Sequence, residues 1–240
     1  MKEYIVENLE SENIAILHFT ELPSTNDFAK AERKNGRDLI VLADRQTGGR
    51  GTKGRSFSSE CGGIYLSKLT FHKSLAAKRA FEIMAGAATA VCETLSAYGL
   101  QPCIKWPNDI HVGGKKIGGI LIENSFSGSM VVSSVVGIGL NVCNELPSEL
   151  CSIATTMAAQ GSIADLDAVT KRLIETLCRP CDMERYQFYL GYMGREAELI
   201  IGDERIPATL LFVDGEGNLH AKTARGEEVF SAAEVSLRGL

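Results

Sequence analysis

Between Ser74 and Tyr98 the apolar residues Phe81, Met84, Ala85, Ala88, Val91, Cys92 and Leu95 recur at spacings of three and four. That period predicts a long core-facing helix, stopped by Gly99. Upstream, Ser24 or Thr25 can N-cap a helix running through Asn35, with Asp27 in its first turn and Gly36 just past its end. The run DLIVLAD that follows reads as a strand. Further on the period shortens to two, and strands are predicted near Cys103 to Trp106, Ile110 to Val112, Lys116 to Glu123 and Met130 to Val142. Turns at Gly113-Gly114 and Ser127-Gly128 make these sequential hairpins. Two more helices, Asp165 to Cys178 and Asp182 to Tyr192, are separated by Pro180. The order describes an α+β domain over 1–193, a mostly antiparallel sheet with helices on one side. After Gly194 come short alternating stretches, AELIIG, RIPATLLFVD, GNLHAKTA and EEVFSAAEVSL, punctuated by turn residues. They predict a small all-β module over 194–240, which would bury little alone and therefore docks on the larger domain.

Composition narrows the class without naming a function. The 240 residues are 45% hydrophobic and 23% charged, and no apolar run approaches the ~20 residues of a membrane span. The opening MKEYIVENLESEN is acidic where a signal peptide is basic and then apolar, so a soluble, cytoplasmic protein is expected. A net charge of −5 argues against a general nucleic-acid binder. Of the seven cysteines only Cys178 and Cys181 have a CxxC spacing, and no second pair accompanies them. They read as reduced thiols packed in the interior. His18, His72, His111 and His220 read as surface or packing residues.

Local charge carries more information. The stretch QTGGRGTKGRSF, Gln46 to Phe57, follows a predicted strand and combines four glycines with Arg50, Lys53 and Arg55, next to Arg45. It reads as an anion cradle or as a solvated loop, and its spacing is not that of a P-loop. With like charges and nothing to order them, the loop is expected to be mobile. In IKWPNDIHVGGKKIGGILIE, Ile104 to Glu123, charge is set into a β pattern. Asn108-Asp109 suits a base edge, a metal ion or simply a turn. Strand alternation sends Lys115 and Lys116 to opposite faces, so one of them points inward, where it needs an anion. Gly118-Gly119 marks a close approach of backbone or ligand. VVGIGLNV, Val135 to Val142, sets two glycines and Asn141 among apolar neighbours. Three glycine-interrupted strand ends with polar residues suggest one shared site.

Ser24-Thr25-Asn26, Gln46 with GRGTKGR, KWPND, the downstream KIGGIL and GIGLNV together resemble the biotin protein ligase family in order and spacing, and AAEVSLRG resembles the close of its C-terminal domain. The resemblance implies a fold similar to class II aminoacyl-tRNA synthetases with a small SH3-like β-barrel, and two half-reactions. Biotin and ATP, with Mg²⁺ carried mainly on the phosphates, give biotinyl-5′-AMP, and biotin then passes to a lysine of a biotin carboxyl carrier protein domain. Arg50 and Lys116 would be catalytic and would flank the biotin carboxylate. Ser24, Thr25, Asn26, Gln46, Gly49, Gly51, Thr52 and Gly119 would complete the biotin side. Arg55, Phe57, Lys105, Asn108, Asp109 and Asn141 would serve ATP. Phe57 stands where many members have tryptophan, and Thr52 replaces the last arginine of the usual GRGR. Thr52 cannot pair with phosphate as arginine does, so looser retention of biotinyl-AMP is expected unless Lys53 or Arg55 substitutes. With 23 residues before Ser24, no winged helix is expected and hence no DNA binding; a homodimer is compatible, and no membrane partner is implied. A lipoate or octanoate ligase or transferase, and a non-catalytic biotin or adenylate sensor, are the competing readings.

Overall fold

Strand alternation divides the apolar residues of this chain between two layers. The computed structural model describes residues 2–6, 14–232 and 235–238. Its larger sheet contains β1 (Lys2–Val6), β2 (Ile14–Leu22), β3 (Leu39–Gln46), β4 (Gly63–Ala76), β5 (Pro102–Lys105), β6 (Asp109–Val112), β7 (Lys115–Ser127) and β8 (Met130–Asn141). The eight strands lie in the order β1-β2-β3-β4-β8-β7-β6-β5. Only β2 and β3 pair in parallel, joined by α1 (Thr25–Ala31); the other neighbours are antiparallel.

Helices were expected on one side of this sheet, and they lie on both. Ile40 and Leu42 of β3 belong to the main core with Ala88, Val91 and Leu95 of α2 (Phe81–Ala97). Leu39 and Val41, on the opposite face, pack with Ala29 of α1. The sequence signal is the unbroken run Leu39 to Ala43, buried at every position, which is the pattern of a strand covered on both faces. A second correction concerns the start of α2. Ser74 to Ala76 finish β4, a strand of 14 residues, and the helix begins only at Phe81 after a short 3₁₀ turn. β4 escaped sequence reading because its first five residues are all buried, so alternation never shows. The other boundaries follow their caps: Ser24 accepts from the N–H of Asp27, and Asp165 and Asp182 cap α3 (Leu166–Leu177) and α4 (Met183–Tyr189).

The C-terminal stretches form a second antiparallel sheet from β9 (Glu196–Ile201), β10 (Glu204–Val213), β11 (Leu219–Thr223), β12 (Gly226–Phe230) and β13 (Val235–Arg238), in the order β12-β11-β10-β9-β13. EEVFSAAEVSL thus splits into two strands on opposite edges. Within AAEVSLRG, Ala233, Glu234 and Gly239 lie outside the described residues. The two sheets share one hydrophobic core. Trp106, 2% exposed, donates its indole N–H to the carbonyl of Gly217 at 3.0 Å, and Gln187 donates to the carbonyl of Val213 at 2.7 Å. Gly217 has φ +88°, and a Cβ there would fall inside the Phe81 ring. Among the cysteines the expectation of interior packing fails for Cys61, Cys143 and Cys151, which are exposed; all seven are free thiols.

His111 is buried beside this junction, its Nδ1 2.9 Å from the hydroxyl of Tyr192. Burial, reinforced by the charges of Lys105 and Lys116 against the opposing Asp109, lowers its pKa to about 4. In the unfolded chain the imidazole takes up a proton near its ordinary value, so stability is complete above that value and declines as pH falls from about 6.5 toward 4. The loss expected over that window is about 3 kcal/mol. Urea midpoints of wild type at pH 7 and 4.5 should differ accordingly, and His111→Gln should flatten the difference. At the junction, Gly217→Ala should destabilise by about 3 kcal/mol through backbone strain and overpacking. Fluorescence of Trp106, the sole tryptophan, reports it, with the unobstructed Gly215→Ala as the control expected within about 0.5 kcal/mol of wild type.

Candidate active site

The choice between Lys115 and Lys116 is made by a β-bulge. Asp109 pairs with Gly119 and Ile110 with Gly118, but His111 pairs with Lys116, leaving Ile117 as an extra residue on β7. Lys116 and Gly119 therefore share one sheet face although they are three apart, while Ile117 enters the core fully buried. Lys116 Nζ lies 2.6 Å from Asp109 Oδ1 and 6.0 Å from the centroid of the Phe57 ring. Lys115 instead donates to the carbonyl of Cys151 at 2.7 Å, bracing the loop that follows β8.

Lys116 lines a cavity of about 490 Å³. One wall is the N-terminus of α1 with the end of β3. Gln46 Oε1 accepts from the backbone N–H of Thr25 at 2.8 Å and from its hydroxyl at 3.1 Å, and Gln46 Nε2 donates to Ser59. Ser67, wholly buried, donates to Asn26 Oδ1 at 2.6 Å, and its oxygen lies 2.8 Å from Thr25 Oγ1. Ser24, Thr25, Asn26 and Gln46 all line the cavity.

The glycine-rich loop forms the next wall, and it is a small closed turn. Gly51 N–H donates to the carbonyl of Arg55 at 2.7 Å, and Phe57 N–H to that of Gly49 at 2.9 Å. Its bases have partners, contrary to the expectation of charges with nothing to order them. Arg50 meets Asp27 Oδ1 at 2.7 Å and Glu123 Oε2 at 3.1 Å. Lys53 reaches across to β13, donating to the carbonyl of Val235 and to Ser236 Oγ, each at 3.0 Å. Arg55 folds back on Thr52, 3.0 Å from its hydroxyl. Arg45 pairs with Glu21 and Glu60 and does not line the cavity. Arg50, Gly51, Thr52, Arg55 and Phe57 do. Gly49 does not, because a Cβ there would strike Phe57 and Ser59 in the turn itself; its part is to let the turn close.

Lys105, Asn108, Asp109, Gly119 and Asn141 line the remaining side. Two of them also serve the backbone. Asn108 Nδ2 donates to the carbonyl of Ile120 at 2.9 Å, and Asn141 Nδ2 to that of Thr155 at 3.2 Å, so both fix strand connections beside the cavity. Gly119 and Gly139 give no open path for a ligand backbone. Lys116 lies against the first and the Phe57 ring against the second, and Gly118 abuts the carbonyl of Gly139. Sequence reasoning missed Asp27, Lys30, Ser67 and Glu123, and also the apolar rim of Leu146, Leu150 and Ile153. The acids were legible only as a helix first turn and a strand end; what makes them part of the site is contact across distant segments.

Comparisons with known proteins bear on the family of the chain. A bifunctional ligase/repressor from Bacillus spizizenii is 32% identical over 219 residues, 82% of this chain, and the chain spans 66% of that relative. A biotin–[acetyl-CoA-carboxylase] ligase from Paracoccus denitrificans is 29% identical over 217 residues, 83% of this chain and 90% of its own. Among solved structures, the biotin protein ligase of Aquifex aeolicus in complex with biotin and ATP superposes with a TM-score of 0.74 at 27% identity, covering 93% of this chain and 98% of that one. The model of the biotin/lipoate A/B protein ligase family matches residues 18–141, just over half of the chain, a span that carries both Arg50 and Lys116, and the chain belongs to this family.

Proposed function

We propose that the protein is a biotin protein ligase, which condenses biotin with ATP to biotinyl-5′-AMP and pyrophosphate and then transfers biotin to a lysine of a biotin carboxyl carrier protein domain. The observation that carries this reading is the convergence of Arg50 and Lys116, from a loop and a bulged strand, on one cavity. In the first step a carboxylate oxygen of biotin forms a bond to the α-phosphorus and the bond to the pyrophosphate oxygen breaks. In the second the acceptor amine bonds to the acyl carbon and AMP leaves. The carboxylate is already a nucleophile, so no side chain has to form a covalent intermediate. What the protein supplies is alignment of two anions and positive charge as pyrophosphate departs. Asp109 is the single carboxylate among the described residues lining the cavity, and it is engaged by Lys116, so the wall is no cage for a divalent ion. Mg²⁺ fits this reading as an ion brought on the phosphates of ATP. On this reading the chain divides into 1–193 and 194–240, a division supported by the left-handed turn at Gly194, φ +78°, just before β9.

A cation ~4 Å from a phosphoryl oxygen at an effective dielectric near 20 contributes about 4 kcal/mol, a factor of about 10³ in rate. Lys116→Ala should therefore lower biotin-dependent ATP–pyrophosphate exchange by about 10³, while Lys115→Ala keeps it within about threefold. Equal losses in the two variants would sink the assignment. Exchange driven by lipoate in place of biotin would reassign the substrate, and binding without exchange would make the protein a sensor.

Of the two residues able to replace the arginine missing at Thr52, Arg55 lines the cavity and Lys53 is held at β13. Arg55→Ala should release biotinyl-AMP about tenfold faster, the scale of one charge-assisted hydrogen bond, and Lys53→Ala less than threefold. Thr52→Arg should slow release relative to wild type; unchanged retention would remove the case for looser binding.

A further inference from the structure

The cavity wall at Arg50 is held from behind by a group that does not line the cavity. Glu123 lies on β7 seven residues beyond Lys116, on the same face as Gly119, with its side chain 26% exposed. Four partners converge on it. Oε1 accepts from Lys30 Nζ at 2.9 Å, and Oε2 accepts from Asn26 Nδ2 at 3.0 Å and from Arg50 Nη2 at 3.1 Å. Its backbone carbonyl accepts from Arg33 at 2.7 Å. Asp27 closes the ring, sharing Oδ1 between Arg50 Nη2 and Lys30 Nζ.

Two features make this more than a brace for α1. Arg50 meets both carboxylates through the same Nη2, so its Nη1 and Nε are left to donate separately, each as a single charge-assisted hydrogen bond, while the plane of the guanidinium is fixed by the two acids. The second feature is continuity. Asn26, whose amide occupies the space a Cβ on Gly137 would need, donates to Glu123 through its nitrogen and accepts from Ser67 on its oxygen; Ser67 Oγ lies 2.8 Å from the Thr25 hydroxyl, and the Thr25 backbone N–H donates to Gln46. The orientation of the guanidinium is thereby tied to the wall that carries Thr25 and Gln46.

We propose that Glu123 is a positioning residue for acyl activation, which orients Arg50 toward the biotin carboxylate by linking it through Asn26 and Ser67 to the wall assigned to the biotin ring. Asn26 is on this account a relay in the network, with both ends of its amide engaged by protein. The role rests on the function proposed above. It predicts an effect confined to one substrate, because Asn108 and Asn141 on the opposite side are bonded instead to the carbonyl of Ile120 and to Thr155 and Asn144.

The test is steady-state biotin-dependent ATP–pyrophosphate exchange on Glu123→Gln, which keeps shape and one acceptor but removes the charge. The KM for biotin should rise about tenfold, the scale of one hydrogen bond to a charged group, with the KM for ATP within about twofold of wild type. In an Arg50→Ala background the same substitution should add less than about twofold, since Glu123 acts through Arg50. A purely structural role predicts otherwise: a lowered melting temperature with both KM values unmoved, or an undiminished effect without Arg50, and either result overturns the proposal. Asp27→Asn, at a more exposed position, gives a second variant should Glu123→Gln fold poorly; it should shift the biotin KM in the same direction by a few-fold, and no shift there counts equally against the role. A wild type that supports no biotin-dependent exchange overturns the function and this role together. A wild type that exchanges while both variants keep its biotin KM overturns the role alone.

Discussion

A cation on the covered face of a sheet is tolerable only against an anion, and that requirement organises the site. Lys116 lies against Asp109, Lys30 against Glu123, and Arg50 against Glu123 and Asp27. Each pair draws on a different segment, so the site can assemble only when β6, β7, α1 and the glycine-rich loop are all in place. The bulge at Ile117 lets β7 meet two demands at once. Its apolar residues Ile117, Ile120 and Ile122 stay with the core, while Lys116, Gly119 and Glu123 occupy the site face. Without the extra residue, alternation would set Lys116 on the face of Ile120, where only apolar side chains would meet it. One irregular register position thus reconciles packing with chemistry.

The same logic extends to the glycine-rich loop. Its backbone closes on itself, and its charges are shared out in three directions: Arg50 to α1 and β7, Lys53 to β13, Arg55 back onto Thr52. The C-terminal sheet consequently holds the larger one from two sides, at Trp106 through the Gly217 carbonyl and at Lys53 through β13. A loop fastened to the second sheet can respond to how that sheet docks. This gives the small module a place in the chemistry although none of its described residues lines the cavity.

Much of the fold was readable where local chemistry decides it. Caps at Ser24, Asp165 and Asp182, the stop at Gly99 and the turn at Gly113-Gly114 are each set by one or two residues and their neighbours. The candidate site was readable as motifs, because each motif is short. What sequence did not disclose lies in contacts over long separations or in strands without alternation. Asn26 and Glu123 are 97 positions apart, Lys53 and Ser236 183, and no local pattern links such residues. β4 is buried throughout its first five residues, so the period that identifies a strand is absent there, whereas the equally buried β3 was read as a strand from its apolar run alone.

The glycines show how one pattern supports two physical meanings. Gly119, Gly137 and Gly139 fall on one face of the paired strands β7 and β8; in sequence Gly118-Gly119 marked a close approach of backbone or ligand, and Gly137 and Gly139 only an interrupted strand near a shared site. Each is filled by the protein's own side chain: Lys116 at Gly119, Asn26 at Gly137, and the Phe57 ring at Gly139. A methyl group at any of the three would displace a group that either lines the cavity with charge or positions one that does. The sheet thus acts as a template whose missing side chains fix the orientation of functional ones arriving from α1, the loop and the bulge. That arrangement gains more than clearance, because a side chain seated against backbone has few alternative rotamers and loses little freedom when substrate arrives. Preorganisation of this kind is what the proposed reaction between two anions most requires, and it is encoded by residues that carry no functional group at all.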